Sequence, residues 1–373
     1  MKSKITLTIF LLLLLPAGVI ARVPDRKDKM PGQQIERTVA ADSAVTVSLC
    51  LMSGSVTVHG WDRNEVLARS SHVNQIELKR VDGPNQSGPA RKLTVLLEDN
   101  GEDRRGEDDC QAFGDVELMI PRGASVYVQT GDGAINVFEV AAVYARSQSG
   151  DIEVEKASRS VEAAGFSSDI AVKDSTGRVS LKSVGGSVTA SGLSANDAAD
   201  SFEASTISGE IELDAVAHSL VNVRTVNGNV HLAGPLARAG QYTFNTTRGD
   251  VTLSLPSDAS FQLNARLSKE AEITSDFPLT PKTEAITAIA PAKPLPPPVA
   301  LLKTETGPTR PAAPTHQSAS VVITVEPDVT IVKDSALVFK AIYTSRRVTA
   351  IHSTGDAIIN VVSFSGSLRL QKN

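Results

Sequence analysis

The chain has 373 residues, 41% of them hydrophobic, 21% charged and 4% aromatic, with two cysteines and a formal net charge of −5. These values exclude a disordered chain, a disulfide-rich scaffold and collagen. Lysine and arginine are scattered along the chain, so there is no basic footprint for nucleic acid or anionic lipid, and neither is expected as a partner.

Lys2 and Lys4 precede an apolar run from Ile5 to Leu15, then Pro16 and a small-residue stretch ending Val19-Ile20-Ala21. This pattern predicts a secretory signal peptide over residues 1–21, cleaved after Ala21. The alternative is an uncleaved anchor, for which a run broken by Pro16 and Gly18 is short. No cysteine stands directly after the cleavage point, so the lipoprotein attachment residue is missing, and no later segment reaches transmembrane length. The mature chain is therefore expected to be exported, whether periplasmic, on the cell surface or extracellular. In that oxidising setting Cys50 and Cys110 are expected to form a disulfide, the alternative being two buried free thiols.

Residues 22–121 predict an N-terminal β-cap. They hold one copy of a repeat around Gly54, then strand-like runs at 65–69, 75–81, 92–98 and 115–120. The segment from Glu98 to Asp109 carries seven acidic residues and two arginines. It reads as a solvated loop, since no calcium-loop spacing of the EF-hand kind is present.

Residues 122–280 carry most of the repeat, whose centres are Gly54, Gly133, Gly150, Ser168 in place of glycine, Gly186, Gly209, Gly228, Gly249 and Gly366. Apolar residues stand two and four positions after each centre, as in Ile152 and Val154, or Ile211 and Leu213. Others stand seven and five before it, as in Val143 and Ala145, or Tyr242 and Phe244. With 41% hydrophobic residues, about fifteen of these thirty-six positions would be apolar by chance, and all of them are. Period-two alternation predicts two short strands per unit, each with one face buried. A two-residue hairpin turn would set the small polar residues three before each centre, such as Thr130, Ser147 and Ser183, opposite the apolar ones, so a bend fits better.

From Gly133 to Gly249 the centres are 17, 18, 18, 23, 19 and 21 residues apart. Contiguous units of this kind predict an all-β fold, a β-solenoid of stacked coils of about 17–23 residues, with glycine serving a positive φ or a close backbone approach at each bend. Residues 281–320 contain nine prolines in forty and predict a disordered insertion. Residues 321–373 then return with the Gly366 copy as C-terminal strands that complete the β-architecture.

Little in the chain suggests catalysis. Asp151, Asp169, Glu210 and Asp250 follow their centres directly, beside Ser187 and Asn229. Stacked carboxylates there would repel or recruit a cation, the plainer alternative being turn residues screened by water. His59, His72, His218, His231, His316 and His352 make no pair at a helical metal spacing, and no G-x-S-x-G elbow or complete nucleotide-binding glycine loop occurs. No cofactor is expected. Trp61 could stack on a sugar, although a turn-and-cap role suits its place at the end of a strand.

Several motifs resemble the bacterial putative-adhesin family, a domain of unknown function of the β-solenoid type. They are Ser53-Gly54-Ser55-Val56-Thr57-Val58 running into Gly60-Trp61-Asp62-Arg63, Ile120-Pro121-Arg122-Gly123-Ala124, the Gly-Asp-Ile repeats and the closing Ser363-Phe364-Ser365-Gly366-Ser367. The resemblance covers most of the mature chain and breaks at the proline-rich insertion. It implies a non-enzymatic secreted or envelope-associated protein, an adhesin or surface scaffold whose partner is an envelope or surface protein or glycan. Two alternatives stand beside it: an envelope sensing module that binds a protein or peptide, and a polysaccharide-active β-helix enzyme, which would need a cleft with convergent carboxylates.

Overall fold

The coil centred on Gly150 shows how the repeat becomes structure. Val143 and Ala145 lie on the strand Ala142–Ser149 and Ile152 and Val154 on the strand Ile152–Glu155; all four are buried, while Tyr144, Arg146, Glu153 and Glu155 point the other way. The two strands pair with neighbouring coils and not as a hairpin. Val143 lies between Val126 and Val161, and Ile152 between Ile135 and Ile170, all in parallel register. Each coil thus contributes one strand to each of two parallel sheets whose apolar faces share a core, which is a β-solenoid.

The computed structural model describes residues 34–71, 73, 75–83, 88–98, 110, 112–268, 271–281 and 345–373. The signal-peptide segment 1–21, nearly all of the acidic loop, most of the 281–320 insertion, His72 and His316 lie outside the described residues. The described residues are all-β, without a helix. The chain divides into two compact units, residues 1–197 and 198–373.

In the first unit the coil around Gly54, which the sequence places within the 22–121 cap, stacks directly on the coil around Gly133. Val47 and Leu49 face Val126 and Val128, and Val56 and Val58 face Ile135 and Val137. The chain between those coils adds antiparallel strands. Glu65–Ser70 pairs with the start of the long strand Ile35–Ser53 and with Val116–Pro121, and Gln75–Arg80 pairs with Ala90–Glu98. Lys79 and Arg80 sit on Gln75–Arg80, and such charges discourage pairing with another chain at an edge.

In the second unit Ile211, Val230, Val251 and Leu368 form one inward ladder, and Phe202, Val221, Tyr242 and Ile359 form another. The Gly366 coil therefore follows the Gly249 coil in space, across the whole insertion in sequence. Phe261–Ser268 then pairs in parallel with Ala357–Ser365 and antiparallel with Ser345–His352. Tyr242, Phe202, Phe244 and Phe261 are the bulkiest fully buried side chains. The Tyr242 hydroxyl accepts from Ala237 N at 2.6 Å and donates to His218 O at 3.4 Å, satisfying its polar end.

Glycine at the centre is imposed by the coil beneath. A Cβ on Gly133, Gly150, Gly228, Gly249 or Gly366 would overlap the carbonyl oxygen of the preceding coil's centre, and one on Gly186 would overlap that of Ser168. Gly133, Gly150 and Gly249 also take positive φ, of 128°, 140° and 143°, and a second positive-φ corner lies six residues after the centre, where Glu139, Lys156, Asp174 and Ala215 take φ of 57°, 56°, 47° and 51°. Gly192 and Gly234 occupy the same position.

Candidate functional site

Alternation that sends one set of side chains into the core sends the rest into solvent, in ladders that climb about 4.8 Å per coil. Two positions before the centre the first unit presents Met52, Gly131, Gln148, Phe166 and Val184, of which Met52, Phe166 and Val184 are exposed apolar residues. The second unit presents Ile207, Val226, Thr247 and Phe364 at the same position, with Phe364 76% exposed. This apolar ladder was visible in the sequence at fixed spacing, but a search for core positions passes over it.

On the first unit Gly131 and Gln148 interrupt the apolar ladder, and both border a shallow hollow of about 600 Å³. Met52 and Phe166 wall it, and Gln129, Arg146 and Gln148 line it. These three polar residues are exposed. They can offer amide donors and acceptors and a guanidinium fork. Beside them on the same sheet face Tyr127 and Tyr144 stack with ring centroids 4.6 Å apart. The Glu162 carboxylate, hydrogen-bonded to Tyr144, pushes that phenol's pKa up.

Cys50 belongs to this outward face, opposite Gln129, and Cys110 borders the hollow. Their Cα atoms are 4.9 Å apart with the sulfurs paired. That separation lies within the range of a disulfide.

The carboxylates that follow the centres act on the backbone. Asp151 Oδ1 accepts from Asp169 N at 3.2 Å, and Asp169 Oδ1 accepts from Ser187 N at 2.7 Å. Asn229 Oδ1 accepts from Asp250 N at 3.0 Å, and Asp250 Oδ1 from Ser367 N at 2.7 Å. Each side chain thus ties its coil to the next. Glu210, Glu212, His231 and Asp250 border a second hollow of about 360 Å³ on the second unit. Among the described residues no group of three or more His, Cys, Asp or Glu is placed to hold a metal ion.

The remaining aromatic candidates are engaged locally. Trp61 Nε1 donates to Glu65 O at 2.9 Å and the Arg63 guanidinium lies 4.9 Å from the ring centre, so one face of the indole is covered. His59 stacks on Phe138 at 5.0 Å, His218 is buried beside Phe202, and His352 packs against Phe261 and Phe277. No helix among the described residues is long and apolar enough to cross a membrane.

Stacked two-strand coils with outward ladders define a β-solenoid protein whose surfaces repeat coil by coil. Residues 53–288 match Toastrack DUF4097, and the chain belongs to that family, a domain of unknown function. It is similar in structure to a putative adhesin from Parabacteroides merdae, with 12% identity and a TM-score of 0.39 over 60% of this chain and 90% of that one. A putative adhesin from Parabacteroides distasonis gives 12% identity and a TM-score of 0.37 over 60% and 91%. A putative cell adhesion protein from Clostridium sporogenes gives 7% and 0.19 over 91% and 100%. No curated protein matches the chain.

Proposed function

We propose that this protein is a non-catalytic, exported β-solenoid that works at the cell envelope as an adhesin or surface scaffold. The observation that carries the reading is the exposed apolar ladder: Met52, Phe166 and Val184 on one unit, Ile207, Val226 and Phe364 on the other. The core is filled from the inward positions, so the fold does not need these side chains exposed, and apolar side chains exposed side by side, Phe166 with Val184 and Ile207 with Val226, mark a place where something binds. A contact repeated at each coil suits an extended or repetitive partner, an envelope or surface protein or glycan. Export rests on the targeting pattern of residues 1–21 and on an oxidising compartment suited to pairing Cys50 with Cys110.

The test is binding of the purified mature chain to an array of envelope glycans and matrix proteins, with a variant lacking 281–320 alongside. Saturable binding that survives the deletion is expected. Absence of saturable binding, or its loss with the deletion, contradicts recognition by the solenoid face.

A further inference from the structure

We propose that the hollow between Met52 and Phe166 binds an acidic polysaccharide that carries one carboxylate per disaccharide; this rests on the binding reading above and names the ligand. Three features of the site converge on such a polymer. Phe166, 59% exposed, offers a flat apolar face against which the C–H face of a sugar ring can pack. Gln129 and Gln148, which line the hollow, each present an amide donor and acceptor to sugar hydroxyls. Arg146 supplies the fork that grips a carboxylate through two parallel hydrogen bonds.

The spacing of positive charge gives the period. Arg146 pairs in register with Ala164, and Ala164 with Lys182, so the two cations stand in one outward ladder two coils apart. At about 4.8 Å per coil their backbones are about 9.6 Å apart. That distance is comparable with one disaccharide. A chain lying along the coil stack would set alternate sugars against a cation and the sugar between against Ala164. Neither cation forms an ion pair with a carboxylate among the described residues, whereas Glu162, the nearby acid on this face, is engaged by Tyr144.

Hyaluronan oligosaccharides are the probe, titrated into the full mature chain by calorimetry, with carboxyl-reduced hyaluronan as the neutral control. Saturable binding that weakens with added salt is expected, at least about tenfold weaker for Arg146→Gln and for Phe166→Ser. Both positions are exposed, and matching thermal unfolding of the variants shows that the fold is kept. No binding of hyaluronan, equal binding of the carboxyl-reduced polymer, or an unchanged affinity in Arg146→Gln overturns the proposal. If hyaluronan fails while array binding persists and is lost in Phe166→Ser, the acidic ligand alone is wrong. If array binding is also absent, the broader reading falls with it.

Discussion

Gly165 and Ser168 have exchanged the side chains that the other coils from Gly133 to Gly366 place at their positions. In those coils a serine or threonine stands three residues before a glycine centre, as with Ser183 and Gly186, where Ser183 Oγ accepts from Gly186 N at 3.0 Å and donates to Ser168 O at 2.8 Å. In this coil a Cβ on Gly165 would fall on the Ser168 side chain, so only one of the pair can carry one. Gly165→Ser alone is expected to cost about 1–3 kcal/mol by overpacking. Ser168→Gly alone should cost under about 1 kcal/mol. The double variant should recover most of the first loss, and urea unfolding of the four proteins measures that coupling. Additive costs would show that the two positions do not compete.

The two kinds of bend answer oppositely to substitution. Gly133→Ala puts a Cβ on the Gly54 carbonyl at φ 128°, where the obstacle is backbone, and should cost about 3 kcal/mol or more. Ala215→Gly relieves a left-handed φ of 51° and should stabilise by about 1 kcal/mol. Thermal unfolding of both variants checks the contrast.

Inward and outward positions on one strand should differ sharply. Ile152→Asp and Ile211→Asp bury an unpaired charge and are expected to cost more than about 4 kcal/mol. Glu212→Lys should stay within about 0.5 kcal/mol of neutral. Glu153→Lys loses a 2.8 Å exposed pair with Lys173 and should cost under about 1 kcal/mol. Similar losses at the two sets, measured by denaturant unfolding, would contradict the assignment of faces.

Much of this was legible in the sequence, because alternation at Ile152 and Val154 or Val143 and Ala145 is dictated by strand geometry and recurs too often for chance. The left-handed corner was not: Glu139, Lys156 and Asp174 occupy it without the glycine that would have signalled it. Nor was the direct stacking of Gly54 on Gly133, since pairing in space carries no mark across an insertion; the Gly366 copy was readable as a return to the β-architecture, but not which coil it would pair with. Asp151 and Asp169 were readable as turn residues, but their acceptance of the next coil's N–H depends on a register that only stacking fixes. The hollow was hidden because its lining, Met52, Gln129, Arg146 and Phe166 among it, comes from four coils that only stacking brings together.

The Cys50–Cys110 bond should appear in intact mass spectrometry of the unreduced exported protein as a loss of two hydrogens relative to the reduced form. Replacing both cysteines by alanine should then lower stability by about 2–4 kcal/mol, since the closed loop is long. Two free thiols would refute the pairing.

Acid should weaken the antiparallel cap of the first unit through Asp82. Its carboxylate takes 3.1 Å bonds from Arg80 Nε and Nη2 and a 2.8 Å bond from Arg91 N, which hold its pKa at about 2. Because the folded value lies below the unfolded one, the contribution is complete above about pH 4 and fades as pH falls toward 2. Asp82→Asn should therefore lose stability chiefly above that window and converge on the parent below it. Parallel pH titrations of unfolding would show otherwise if the two curves stay equally separated at pH 2.

The most direct test of recognition by the outward ladder is hydroxyl-radical footprinting of the mature chain, free and saturated with the array ligand or hyaluronan. Protection is expected at Met52, Tyr127 and Phe166, which share one exposed face of the first unit, with no change at Trp61 on that unit's other sheet or at His231 on the second unit. Protection confined to Trp61 and His231, with Met52 and Phe166 unchanged, would place binding elsewhere and contradict the account.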